Sequence, residues 1–173
     1  MSIKKNKIGI LGGSFDPAHK GHLAISKEAI KRFKLKKVIW AITKKNPFKK
    51  KSSKSISIRI QKCEEIIKKF RHIEVKFYDD KIKSNKTINL INYLTKNKKN
   101  EIFFLMGADN LINFHKWHKW KTISKKCTII VFDRYGFKKR SLNSTTYKRL
   151  NNNNLKFVEF NKVNISSSQL RKI

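Results

Sequence analysis

The sequence predicts an alternating α/β fold: a doubly wound, mostly parallel sheet with helices on both faces. Three observations predict it. Short apolar runs alternate with segments of helical period along the chain. Two of those runs end on glycine, in "KIGILGG" and "EIFFLMG". The 173 residues are 39% hydrophobic and 11% aromatic, with only two Pro and six Gly. That is enough apolar surface for a core and too few breakers for a linker-rich chain.

The elements follow in order. "KIGIL" (Lys7 to Leu11) is a buried strand closed by Gly12 and Gly13. "HLAISKEAIKRF" is a helix, with Leu23, Ala29, Ile30 and Phe33 on one face. "KVIWAIT" (Lys37 to Thr43) is the second strand, and the polar loop "KKNPFKKKSSKS" follows it. In "ISIRIQKCEEIIKKF", Ile56, Ile60, Cys63, Ile67 and Phe70 recur at steps of three and four, the helical period. "IEVKFYD" is a strand, "TINLINYL" a helix, "EIFFLMG" a strand and "ADNLINFHKW" a helix. "CTIIVFD" and "LKFVEFN" are the last strands, and Ser141 to Asn154 between them is expected to be a mobile loop. No internal repeat or domain boundary shows, so residues 1–173 are expected to form a single domain. Such sheets bind ligands outside the carboxyl ends of their strands, at the switch point of a Rossmann-like fold. "GGSFDPAHKGH", "GADN" and "ISSSQLR" all follow strands and should gather at that edge.

The formal charge of +32 invites a nucleic-acid reading. Almost all of that charge is Lys, whereas phosphate and base readout favours the Arg fork. Lys also comes with Asn and Ile, as in "NKTINLINYLTKNKKN", a mix that AT-rich coding produces. The charge still draws anionic substrates. No specific nucleic-acid partner and no membrane is expected. Cys63 and Cys127 form no CxxC, and no run approaches the roughly 20 apolar residues of a membrane span. A cytoplasmic protein is expected.

Chemistry concentrates in "GILGGSFDPAHKGHLAI". It lacks the GK[ST] of a Walker loop and the spacing of GxGxxG, yet runs strand, glycine turn, helix N-terminus. Gly12 and Gly13 let a ligand approach the backbone closely. The first helical turn offers unpaired N–H groups and the positive end of the dipole. His19 and His22 add two imidazoles to that anion site. Zinc is the rival ligand, but no third protein ligand lies nearby in sequence.

"GGSFDPAHKGH" is similar to the GGxFDPxHxGH signature of the nucleotidylyltransferase superfamily. "MGADNLINFHKWHKW" resembles the GADxL…F..W segment of bacterial nicotinate-nucleotide adenylyltransferases, and "ISSSQLR" their ISSTxIR motif. "ITKKNPFK" stands where they carry a proline-containing loop. These matches keep their order from Lys7 to Arg171.

The resemblance implies transfer of AMP from ATP to nicotinate mononucleotide, with pyrophosphate leaving and no covalent enzyme intermediate. It implies that His19 and His22 contact the ATP phosphates, and that Gly12, Gly13, Ser14, Phe15 and Gly21 of the same motif line the nucleotide. Ser166, Ser167 and Arg171 would hold the β- and γ-phosphates. Gly107 and Asp109 would flank the adenosine. Asp109 could accept from ribose hydroxyls or act as a helix N-cap. Thr43, Thr87, Trp117 and His118 would face the acceptor, with Trp117 stacked on its pyridine ring, unless Trp117 belongs to the core stripe of Phe114 and Trp120. Lys45 and Lys49 could reach its phosphate or stay solvated. Mg²⁺ would enter with ATP, mostly water-ligated.

The pattern departs from the family at Lys86, Asn89, His118 and Tyr135, all away from the HxGH segment. Within the superfamily, phosphopantetheine or nicotinamide mononucleotide are the competing acceptors. From other classes, the rivals are a basic nucleic-acid-binding protein and a non-catalytic relative.

Overall fold

In the computed structural model, residues 5–45, 54–151 and 154–160 are described. Six strands form one sheet: β1 (Asn6–Gly13), β2 (Lys37–Ile42), β3 (Ile73–Phe77), β4 (Asn100–Gly107), β5 (Thr128–Phe132) and β6 (Leu155–Val158). Their order is β3-β2-β1-β4-β5-β6, and every pairing is parallel. The connection from β3 to β4 crosses β1, so the winding reverses between β1 and β4. That is the switch point at which such sheets bind ligands.

Side-chain alternation along the strands builds two cores. Ile8, Ile10, Ile39, Phe104, Met106, Ile129 and Val131 face one side. There they meet α4 (Thr87–Thr95), α5 (Ala108–Asn113), α6 (Trp120–Lys126) and α8 (Thr145–Leu150). Leu11, Val38, Trp40, Ile42, Phe103, Leu105, Ile130 and Phe132 face the other side. There they meet α1 (Lys20–Phe33) and α2 (Ile56–Ile67). The remaining helices are short: α3 (Asp79–Ile82) and α7 (Lys138–Leu142).

Three expectations change. The stretch expected as a loop over Ser141 to Asn154 holds helix instead: Leu142 ends α7, and α8 covers Thr145–Leu150. Ser144 accepts from Tyr147 N at 3.2 Å to cap α8, and Ser141 and Thr146 are fully buried. Serine and threonine read as loop formers, yet here they act as caps and core hydroxyls. The helix expected from Ala108 to Trp117 stops at Asn113, and a 3-10 turn over Phe114–Lys116 re-aims the chain so that Trp117 is extended. The Trp120–Lys126 segment is a helix of its own. Gly12 and Gly13 are the last strand residues, paired with Ala41 and Ile42, and the turn comes after them. Phe15, rather than a glycine, adopts the left-handed φ of 48° there.

Among the described residues, no helix is long and apolar enough to cross a membrane.

Candidate active site

Two cavities open at the carboxyl end of the sheet. One holds about 110 Å³ beside the β1–α1 turn, and the other about 310 Å³ between β2 and α4. Both are walled by Gly12, Gly13, Phe104 and Trp117, so they adjoin across the glycine pair.

The smaller cavity collects Ser14, Phe15, His19, Gly21, His22, Gly107 and Asp109. His19 is the N-cap of α1, with extended backbone. Its Nδ1 accepts from Gly21 N at 3.1 Å, while its own N–H donates to His22 Nδ1 at 3.1 Å. This is a capping box in which imidazoles do the work usually done by hydroxyl and carboxylate. Because both Nδ1 atoms accept, each neutral ring carries its proton on Nε2. The rings lie 3.8 Å apart between centroids. The pair is thus a set of hydrogen-bond donors seated on a helix start.

Phe15 supports the pair from below. Its ring is 2% exposed, lies 4.7 Å from His22 and stacks on Trp40 at 5.2 Å. Trp40 Nε1 donates to Ser26 Oγ at 2.8 Å, and Ser26 Oγ donates to the His22 carbonyl at 2.8 Å. A chain of contacts therefore runs from the sheet core to the second histidine.

Asp109 lies in the first turn of α5, and the N-cap position belongs to Gly107, so the capping role expected for Asp109 falls away. Its Oδ2 accepts from Arg134 Nη1 at 2.6 Å. Its Oδ1 is buried with no hydrogen-bond partner among the described residues. A Cβ at Gly107 would sit 2.5 Å from that oxygen, so the glycine makes room for the carboxylate. A buried carboxylate oxygen without a donor is costly unless a ligand supplies one.

The larger cavity is walled by Thr43, Lys45, Thr87, Trp117 and His118. Thr87 opens α4, and Lys86 before it makes no side-chain cap. Trp117 is half-buried, edge-on to Phe104 at 6.0 Å and 5.1 Å from Phe114. Phe114 is fully buried in the core, and Trp120 packs against it from the edge. Trp117 alone of the three reaches both cavities. The Thr43 hydroxyl donates to Asp79 Oδ2 at 2.8 Å, which also accepts from Lys44 N at 2.8 Å. Thr43 thus shapes the wall through a bond already made.

Lys49, Ser166, Ser167 and Arg171 lie outside the described residues. Sequence reasoning passed over Asp79, Arg134 and Arg59. Arg59 is 3% exposed and donates from Nη1 to the carbonyls of Ser14 (2.6 Å) and Thr43 (2.9 Å). Burial lowers its pKa from the usual Arg value, and the charge of buried Asp16 opposes the shift. A signal for it existed: it falls on the buried stripe of α2, three residues after Ile56 and four before Cys63. A charge on an apolar stripe has to have a partner.

Known proteins resemble this chain in sequence and in fold. A family described as cytidylyltransferase-like matches residues 10–173. The probable nicotinate-nucleotide adenylyltransferase of Pelagibacter ubique is 65% identical over 173 residues, covering 100% of this chain and 96% of its own. That of Agrobacterium fabrum is 36% identical over 140 residues, covering 80% and 74%. In fold, the chain is similar to the Plasmodium falciparum nicotinic acid mononucleotide adenylyltransferase complexed with NaAD. The TM-score is 0.76 at 19% identity, over 96% of this chain and 83% of that one. The chain belongs to the nicotinate-nucleotide adenylyltransferases of the cytidylyltransferase-like family.

Proposed function

We propose that the chain transfers the adenylyl group of ATP to nicotinate mononucleotide, giving nicotinate adenine dinucleotide and pyrophosphate. One observation carries the reading: two cavities meet across Gly12 and Gly13, so two nucleotides can place their reacting phosphates side by side. A phosphate oxygen of the mononucleotide attacks the α-phosphorus. The bond to the β-bridging oxygen breaks, and pyrophosphate leaves with that electron pair. The protein's part is to position and to stabilise charge.

The Nε2–H groups of His19 and His22 donate to the phosphates, where charge builds on the leaving group. The start of α1 adds backbone N–H groups and its dipole. Gly107 and Asp109 take the adenosine, with a ribose hydroxyl donating to Asp109 Oδ1. Lys45 faces the acceptor phosphate, and the first N–H groups of α4, beginning at Thr87, take the carboxylate. Trp117 stacks on the pyridine ring. Lys49, Ser166, Ser167 and Arg171 complete the anion contacts in this reading.

Mg²⁺ would neutralise triphosphate charge. ATP and water would supply most of its ligands.

Pyrophosphate release from Mg²⁺-ATP tests the reading, using nicotinate mononucleotide, nicotinamide mononucleotide, phosphopantetheine, or no acceptor. The nicotinate compound should give the largest kcat/KM. Turnover of phosphopantetheine alone would overturn the acceptor. His19→Ala should lower kcat by about 10²–10³, the usual cost of one oxyanion donor. Full turnover in that variant would place the phosphates elsewhere.

A further inference from the structure

We propose that Arg59 is a positioning residue that sets the separation of the two substrate cavities. The parallel ladder between β1 and β2 ends with Thr43 N donating to the Gly13 carbonyl at 3.0 Å. Past that bond the two chains part. Ser14 turns toward α1 and lines the nucleotide cavity, and Thr43 turns toward the acceptor cavity. Among the described residues no backbone bond ties them further. The Arg59 guanidinium takes over, with Nη1 bridging the Ser14 and Thr43 carbonyls at 2.6 and 2.9 Å. Nε donates to the Lys54 carbonyl at 3.2 Å, which fixes the plane of the fork against the start of α2. Asp79 grips Thr43 from the other side through its hydroxyl.

The fork geometry matters. A lysine ammonium is a point charge on a flexible stem and cannot hold the plane that three donors of a guanidinium hold. If Arg59 only filled space, an apolar side chain would serve, since buried charges are often replaced at little or no cost when the geometry allows. Here the charge is kept where two substrate-bearing turns diverge. Adenylyl transfer requires the attacking oxygen within about 3–3.5 Å of phosphorus, and rate is steep in that distance. Arg59 itself lines neither cavity, so each substrate should still bind. What is lost is their mutual placement.

This inference rests on the adenylyl-transfer reading, which wild-type turnover with nicotinate mononucleotide tests first; variants are then scored against the wild type. For Arg59→Lys and Arg59→Ala, steady-state kinetics in both substrates are measured with the thermal midpoint. The expected result is kcat down by at least about tenfold with each KM within about threefold. Methylguanidinium added to Arg59→Ala should restore part of kcat, and methylammonium should not. Arg59→Lys carries the test if the alanine variant does not fold. A kcat within twofold of wild type in Arg59→Lys, or a rise in one KM alone at unchanged kcat, overturns the proposal.

Discussion

A methyl group added at Gly13 would test folding and activity separately. A Cβ there would meet Phe15 Cε2 at 3.5 Å, an ordinary contact, so the fold has room for it. The same methyl would project beside Phe15, on the wall of the smaller cavity. Gly13→Ala should therefore keep its thermal midpoint within about 2 °C, because a substitution without a steric or polar penalty costs little. Its turnover should fall at least about tenfold. A variant that unfolds early, or one that turns over normally, would contradict this. The two cysteines make the opposite case. Burial pushes the Cys63 and Cys127 thiols up to about 12, so neither supplies thiolate at neutral pH. The native protein should leave an aromatic disulfide reagent unreacted at pH 8, and both thiols should react once it is unfolded in guanidinium. Fast labelling of the native protein would show that the core opens.

At the scale of elements, β1 is held by close packing as much as by its ladder. A Cβ at Gly9 would lie 2.8 Å from Val38 Cγ2 and 2.9 Å from Leu35 Cδ1. Both contacts are closer than a Cβ can be held, so the buried side chains of Val38 and Leu35 would have to shift. Gly9→Ala should destabilise by about 1–3 kcal/mol, the usual cost of overpacking. Urea denaturation checks this, and an unchanged midpoint would mean that the interface is looser than it looks. The strands were legible in the sequence because each is a short apolar run. β4, "EIFFLMG", is recognisable without any neighbour, and HxGH marks the start of α1. The small elements were not legible. α7 and α8 are short and carry Ser and Thr, whose local preferences favour turns and caps; burial of Ser141 and Thr146 reverses that preference. The break after Asn113 was hidden because helical period continues through Phe114 to Trp117 in the sequence alone. Partners distant in sequence were hidden too: Arg134 lies 25 residues from Asp109, and Arg59 lies 45 from Ser14.

At the scale of the whole molecule, the +32 charge acts on every encounter with an anion. Both proposed substrates are multiply negative, and the field of a strongly basic surface raises their local concentration and their rate of arrival. That field is screenable. The Debye length is about 10 Å at 0.1 M salt and about 3 Å at 1 M. Contacts made inside the cavities are shielded less than the approach across open surface. Raising potassium chloride from about 0.05 M to about 0.5 M should therefore lower kcat/KM for both substrates while kcat stays nearly constant. If kcat fell in parallel, salt would be acting on the bound complex, and the charge would belong to the chemistry instead of to steering. The same titration run on a mixed-sequence RNA separates a dispersed basic surface from a built nucleic-acid site. A dispersed surface gives weak binding lost by physiological salt. A built site gives sub-micromolar affinity that persists there, with a steep slope reporting many phosphate contacts.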